Sequence, residues 1–450
     1  MILARRLSGR RTVLAVLAMC AAAFLSVAAM ALTYEGVASC AGSTCHGRIE
    51  GDGKRVRQDE LSIWQSPSNR SGAHSRAYAV LGSTRGQAIA RSLGLGDARS
   101  ASQCLGCHAT PAGPRGERFQ IADGVGCESC HGPASGWIAS HAAVDASHAA
   151  NVRAGLRALE QPQIRARLCL DCHFGSADAG QFVDHRMMAA GHPRVNFELD
   201  LFSALQQHWD EDPDYRERKG AVSSLQMWAV GQAEAVRRST ALFADARLGQ
   251  DGLFPQFYFF DCHSCHRRIQ DGPNRTLTFE TNPARPIPFG MPPFNDENII
   301  MLSAIAHTAM PRAAERFDAD ARAFHAAMGR SRADAITAAM RLNASAQMLS
   351  DTLARTSLGA DIAFAAVARI TAPASLARFT DYEGAVQAVM ATDTLLNALV
   401  KEKRITLGAA AGIRASINRA YAAVKEPNSF DQPIFRAALQ QAATAIGSLR

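Results

Sequence analysis

The chain has 450 residues, a formal net charge of +7, 47% apolar residues and only 7% aromatic residues. That length can bury two or three cores, yet large aromatic anchors are scarce, and abundant alanine and arginine favour helix. No run of lysine and arginine is interleaved with aromatics, so nothing in the pattern calls for a nucleic-acid partner.

In chain order, Arg5, Arg6, Arg10 and Arg11 form a basic head, and Val13 to Leu32 is apolar apart from Ser26. Ala29-Met30-Ala31 offers small residues at a cleavage point, so residues 1–31 read as a signal peptide. The apolar run is also long enough for an N-terminal anchor retained with its basic end in the cytoplasm. Both readings export the remainder to the periplasm, and only the second brings a membrane into play. Without residues 1–31 the chain has 44 basic and 41 acidic residues, a net charge of about +3.

Cys20 lies inside that segment, and the other ten cysteines fall into five close pairs. Four pairs are C-x-x-C followed at once by histidine: Cys104-Cys107-His108, Cys127-Cys130-His131, Cys169-Cys172-His173 and Cys262-Cys265-His266. This is the attachment sequence of c-type haem. The two sulfurs form thioethers with vinyl groups on adjacent pyrroles, and the next residue sits under the iron as its proximal ligand. Disulfides explain paired cysteines but not the trailing histidines. Zinc sites do not need a histidine directly after the second cysteine each time. Cys40-Ala-Gly-Ser-Thr-Cys45-His46 keeps the histidine but has four residues between its sulfurs. Gly42 and Ser43 let that longer loop bulge while its ends hold the same span, so a fifth haem c is expected there.

A second axial ligand is expected from the remaining histidines. His74 precedes a short apolar helix, His141 follows His131 by ten residues, and His192 is held between Gly191 and Pro193. His208, beside Trp209, and His307, in the apolar helical run Ile299 to Met310, complete the expected distal set, with His148 and His185 as substitutes. His263 and His325 read as surface or supporting residues, and Met187 and Met188 as packing residues.

Residues 32–295 therefore read as a pentahaem cytochrome c domain, mainly α with many loops and little β. Leu225 to Leu248 reads as a helix, and Arg285 to Pro293, with its four prolines, breaks regular structure. Residues 296–450 contain no cysteine. Ile413, Ile417, Tyr421 and Val424 mark one helical face, and Ile336, Met340, Leu349 and Leu353 another, predicting a haem-free bundle of four to six helices.

Gly124-Val-Gly-Cys-Glu-Ser-Cys-His-Gly-Pro133 resembles the haem-binding signature of the cytochrome c-554 family of multihaem cytochromes. Trp64-Gln65-Ser66 followed by His74 and Ala77 is similar to the stretch after that family's first haem, where the histidine is a distal ligand. Gly191-His192-Pro193 and Tyr258-Phe-Phe-Asp-Cys262 add to the likeness, which covers about residues 35 to 270. The chain departs from the family pattern in a fifth site, a longer first loop and the haem-free region. The resemblance implies closely packed haems that carry electrons between redox proteins of the periplasm or membrane face. The alternative is an oxidoreductase acting on a small nitrogen or sulfur compound at one five-coordinate haem, as in related folds. No C-x-x-C-K variant or catalytic cluster stands in its favour, so an electron carrier is expected rather than an enzyme.

Overall fold

Turn-forming residues interrupt the first half of the chain every few positions, and the helices there are correspondingly short. The computed structural model describes residues 31–51, 57–221, 223–249, 254–266, 286–287, 291–376 and 382–450. The basic and apolar N-terminal stretch, residues 1–30, lies outside them, as do residues 285 and 288–290 of the expected proline-rich break. The fold is mainly α. Among the described residues β structure is limited to isolated bridges, Tyr34 with Arg115 and Phe260 with Phe294. No described helix is long and apolar enough to cross a membrane.

Each helix in the first half is bounded by local chemistry. Ser83 caps Thr84–Leu93 by accepting from Gly86 N, and Gly94 ends it in the left-handed region at φ 71°. Pro162 opens Pro162–His173, where its missing N–H costs nothing. Asp184 caps His185–Ala189 through Met187 N at 2.7 Å. The loops between are tied by a buried carboxylate. Glu128 accepts from Glu35 N, Gly36 N and Ala134 N at 2.8, 2.7 and 2.6 Å, fastening the start of the described chain to the third cysteine motif. Gly124 has φ +69°, and a Cβ there would lie 2.7 Å from the His74 carbonyl oxygen. Only glycine lets the two strands of chain approach so closely, and Val125 N then donates to that same carbonyl at 3.1 Å.

From residue 224 the helices lengthen. Ser224–Ala244, Glu297–Ala309, Pro311–Met328, Arg332–Leu353, Ala360–Ala374, Tyr382–Lys401, Leu407–Ala423 and Gln432–Gly447 share one apolar core running from Leu225 to Ile446. Seven of these lie beyond residue 296, against the four to six expected. The extra break is at Pro311, which ends the Glu297 helix after Ala309 and starts a new one. Ser224–Ala244, expected as residues 225–248, packs chiefly on Arg332–Leu353, so the bundle core reaches back across the expected boundary. Ile413, Ile417, Leu349 and Leu353 are buried as their periodicity requires, but Met340 is 63% exposed. The seam on its helix is written in Ala335, Ala339, Leu342 and Ala346 instead. Small side chains let the facing backbone come close. Tyr382–Lys401 is buried nearly all round and forms the centre of the bundle.

The two halves are joined by Glu234, whose side chain is 1% exposed. It accepts from Arg167 Nε and Nη2 at 3.0 and 3.1 Å, from Arg237 Nη1 at 2.5 Å and from Ser350 Oγ at 2.6 Å. Removing one partner of a buried, bonded ion cluster strands the others. Glu234→Ala is expected to lower the unfolding free energy by about 3 kcal/mol, read by chemical denaturation; a loss below about 1 kcal/mol would match an exposed pair instead.

Candidate haem-binding sites

All ten cysteines of the described residues are unbridged. Three of the C-x-x-C-H motifs form helix ends: Ser102–His108, Cys127–His131 and the last turn of Pro162–His173. The fifth takes a single helical turn, Cys262–Ser264, capped by Asp261. In the first motif Cys45 N and Gly47 N both donate to Gly42 O, at 2.9 and 3.1 Å, while His46 N reaches back to Cys40 O at 3.2 Å. The longer loop thus folds outward and returns His46 to Cys40.

Each motif histidine faces a second histidine from elsewhere in the chain. The ring centroids are 6.0 Å apart for His46 and His141, 6.3 Å for His173 and His74, 6.3 Å for His108 and His192, 6.3 Å for His131 and His208, and 6.2 Å for His266 and His185. Rings in van der Waals contact would sit closer. Two imidazoles bound trans to one metal, each with a metal–nitrogen distance of about 2 Å, put their centroids roughly 6 Å apart. The residues present therefore fit an iron held between two imidazoles.

The second ring nitrogen explains how several rings are aimed. His108 Nδ1 is 2.7 Å from Ala77 O, His192 Nδ1 is 2.8 Å from Pro193 O, and His208 Nδ1 is 3.1 Å from Gln206 O. His46 Nδ1 is 3.0 Å from Glu60 Oε2. These oxygens can only accept, so Nδ1 carries the proton and Nε2 keeps a free lone pair for a metal. Burial pushes His131 and His173 down to about 3, and lowers His74, His141, His192 and His208, which keeps these rings neutral as ligation requires. The Glu60 hydrogen bond raises His46. Arg85 grips Gly191 O with Nε and Nη2 at 3.0 and 2.6 Å, fixing the turn that presents His192. Phe197 stacks on His173 at 4.7 Å and Phe202 meets it edge-on at 5.5 Å.

Four expected distal residues, His74, His141, His192 and His208, stand opposite motif histidines. His307 does not. Its Nε2 is 2.7 Å from Asp318 Oδ2, because the break at Pro311 folds the next helix back beside it. His185 takes the fifth facing position. His307 enters the expected set from its place in the apolar run Ile299 to Met310; the usable signal for His185 is its Asp184 cap and its place seven residues before His192. The remaining histidines have other partners: His148 with Glu160 at 2.9 Å, His263 with Pro427 O at 2.8 Å and His325 with Asp296 at 3.3 Å. Met187 is buried as a packing residue.

The five sites adjoin one another. Cys40 lies beside Cys127, and Cys107 beside Cys172, with Cys107 Sγ 4.0 Å from Cys172 O. The Gln206 side chain lies against the His74 ring, and its carbonyl oxygen accepts from His208 Nδ1 at 3.1 Å. Cys262 of the fifth motif is 3.6 Å from Arg194 Nη1, two residues past His192. Burial pushes the thiols of Cys130 and Cys169 up to about 11 and about 12. Among the described residues no group of three or more His, Cys, Asp or Glu is arranged to hold a bare metal ion.

Residues 39–132 match the family model described as cytochrome c554 and c-prime. The match takes in the first three cysteine motifs and His74, about a fifth of the chain. Comparison with curated proteins and with solved structures gives no match. Over that segment the chain is a c-type cytochrome resembling the cytochrome c554 and c-prime family, which carries haem c and serves electron transfer.

Proposed function

We propose that all five motifs bind haem c covalently, that the ten facing histidines are its axial ligands, and that the protein carries electrons between redox partners in the periplasm. The observation that carries this reading is the set of five facing pairs, each at 6.0 to 6.3 Å. Haem c supplies a one-electron ferric/ferrous couple, and two imidazoles keep the iron low-spin without a position for substrate. The protein's part is to aim the rings, exclude water and hold the sites in contact. Adjacency runs from the first site to the third through Cys40 and Cys127, from the third to the fourth through Gln206, and from the fourth to the second through Cys107 and Cys172. The turn from His185 to Arg194 links the second site to the fifth. Cys45 and Cys265, in the first and last motifs, are exposed, so electrons enter and leave at those ends.

About two propionates per haem would outweigh the basic balance of the exported chain and make the holoprotein acidic, so partners with basic faces are favoured. The helical bundle covers the cofactor-bearing half and offers a docking face. Export follows from residues 1–31, as a cleaved signal or as an anchor at the inner membrane.

Electron paramagnetic resonance of the oxidised protein tests the ligand assignment. The expected spectrum is wholly low-spin in the wild type. His185→Ala adds a high-spin ferric signal, His185→Met keeps the iron six-coordinate, and His307→Ala changes nothing. A high-spin wild-type signal, or a response to His307→Ala but not to His185→Ala, contradicts the assignment and favours an enzyme with an open iron.

Ring orientation gives a second expectation. The planes of His46 and His141 are 14° apart, whereas the next three pairs cross at 76° to 86°. Parallel rings act on one iron dπ orbital and split the pair; crossed rings act on both alike. With His185 and His266 at an intermediate 37°, the rhombic low-spin signal of His46 and His141 should accompany three strongly anisotropic ones and one of intermediate anisotropy, and His141→Met should remove the most rhombic signal.

A further inference from the structure

A buried charge cluster beside the fifth motif has a proton-binding chemistry that electron transfer by itself does not require. Arg194 lies between two carboxylates of the bundle, with Nη2 3.8 Å from Glu297 Oε1 and Nε 3.4 Å from Glu383 Oε1. The side chains are 15%, 6% and 0% exposed for Arg194, Glu297 and Glu383. Both oxygens of Glu383 and Oε2 of Glu297 have no hydrogen-bond partner. One guanidinium thus faces two buried carboxylates whose oxygens are mostly unbonded, and a buried negative charge left over in this way is costly.

The neighbours relieve it only in part. Asp261 adds a third carboxylate, but its oxygens are taken by Ser264 N and Oγ, each at 2.9 Å, and by Tyr382 N at 3.1 Å. Tyr258 and Tyr382 turn their hydroxyls away, to Phe174 O and Val424 O, both at 3.1 Å. Asn295 donates to Glu297 Oε1 at 3.3 Å, and the Gln387 amide, which gives one hydrogen to Phe197 O at 3.0 Å, turns its other towards Glu297. Glu426, beyond Tyr382, is a further acid. The Cys262 thiol is the other donor facing Glu383, and thioether formation would remove its hydrogen. Arg194 is then the one cation facing the pair among the described residues.

We propose that the Glu297–Arg194–Glu383 cluster binds one proton whose affinity rises when the haem at Cys262 and Cys265 is reduced. The cluster touches that cofactor's attachment through Cys262, with Arg194 Nη1 3.6 Å from its sulfur. This rests on the haem reading above. When a reduced partner protein delivers one electron to the fifth site, the carboxylate pair takes one proton from water. When the electron leaves, the proton returns to water, so the buried charge is unchanged over the cycle. The added negative charge raises the carboxyl pKa, because a nearby anion disfavours a second one. Burial, with Glu383 beside it and against the pull of Arg194, already pushes Glu297 up to about 7, so the exchange falls near neutral pH. Proton affinity higher in the reduced state means a potential that falls as pH rises through the window between the two pKa values.

Spectropotentiometric titration of the five-haem protein between about pH 6 and pH 9 tests this, with the fall setting in above about pH 7. One component should fall with pH, at a slope approaching about 59 mV per pH unit, the value of a tenfold change for one electron. That component should be the one displaced by His185→Met. Glu297→Gln and Glu383→Gln should flatten it and leave the other four alone. The reduced-minus-oxidised infrared spectrum of the wild type should gain a protonated carboxyl band, which is a check that needs no variant. A pH-independent component, a slope kept in both glutamine variants, or no carboxyl band overturns the coupling while the haem reading stands. Four haems, with Cys262 and Cys265 unmodified, overturn both.

Discussion

A gap of about 6 Å between paired imidazoles is the constraint on which the first half of the molecule depends. Each pair joins positions roughly 80 to 100 residues apart, a costly closure for loops that carry little apolar mass of their own. The apolar clusters there are small: Ala166, Leu170, Phe174 and their neighbours around one site, and Leu81, Ala90, Ala98, Ala101 and Cys104 around another. Iron coordination and thioether bonds would supply the closure that aromatic packing, at 7% of the composition, cannot. Short capped helices, Gly124 against His74 and Glu128 on three backbone amides follow as the means of bringing distant histidines into register.

The bundle works by different physics. Its core is continuous and largely alanine, leucine and phenylalanine. Its polar contacts reach into the other half: Gln387 to Phe197 O, Thr394 to Glu198, and Asp261 capping the start of Tyr382–Lys401. Through Glu297 and Glu383 it also brings acidic side chains to the fifth site. The bundle is therefore better placed to adjust one cofactor than to act as a separate module.

What the sequence disclosed divides along the distance over which information acts. A motif histidine is written next to its cysteines, so His46, His108, His131, His173 and His266 are read directly. The facing histidine is chosen by tertiary folding. His74 and His192 stand in local helix and turn contexts, whereas His141 is read from its distance to His131 and His208 from its place beside Trp209. His185 lies in a five-residue helix with no periodic signal, and His307 is expected only because much of a haem-dense core is porphyrin, since an apolar helix more often holds a packed core histidine. Asp318, which takes its Nε2, comes into range through a turn at Pro311. The bundle's helices were legible by period, but Met340 was misplaced because alanines form the seam. The Arg194 cluster could not be read at all, since its residues come from three distant segments.

The intact mass of the matured protein, made in a host that attaches haem, tests the central claim most directly. The account predicts the bare chain plus five haems, with peptides around Cys40–Cys45 and Cys262–Cys265 both modified. A mass equal to the polypeptide alone would contradict it, leaving ten histidines paired across gaps that nothing fills.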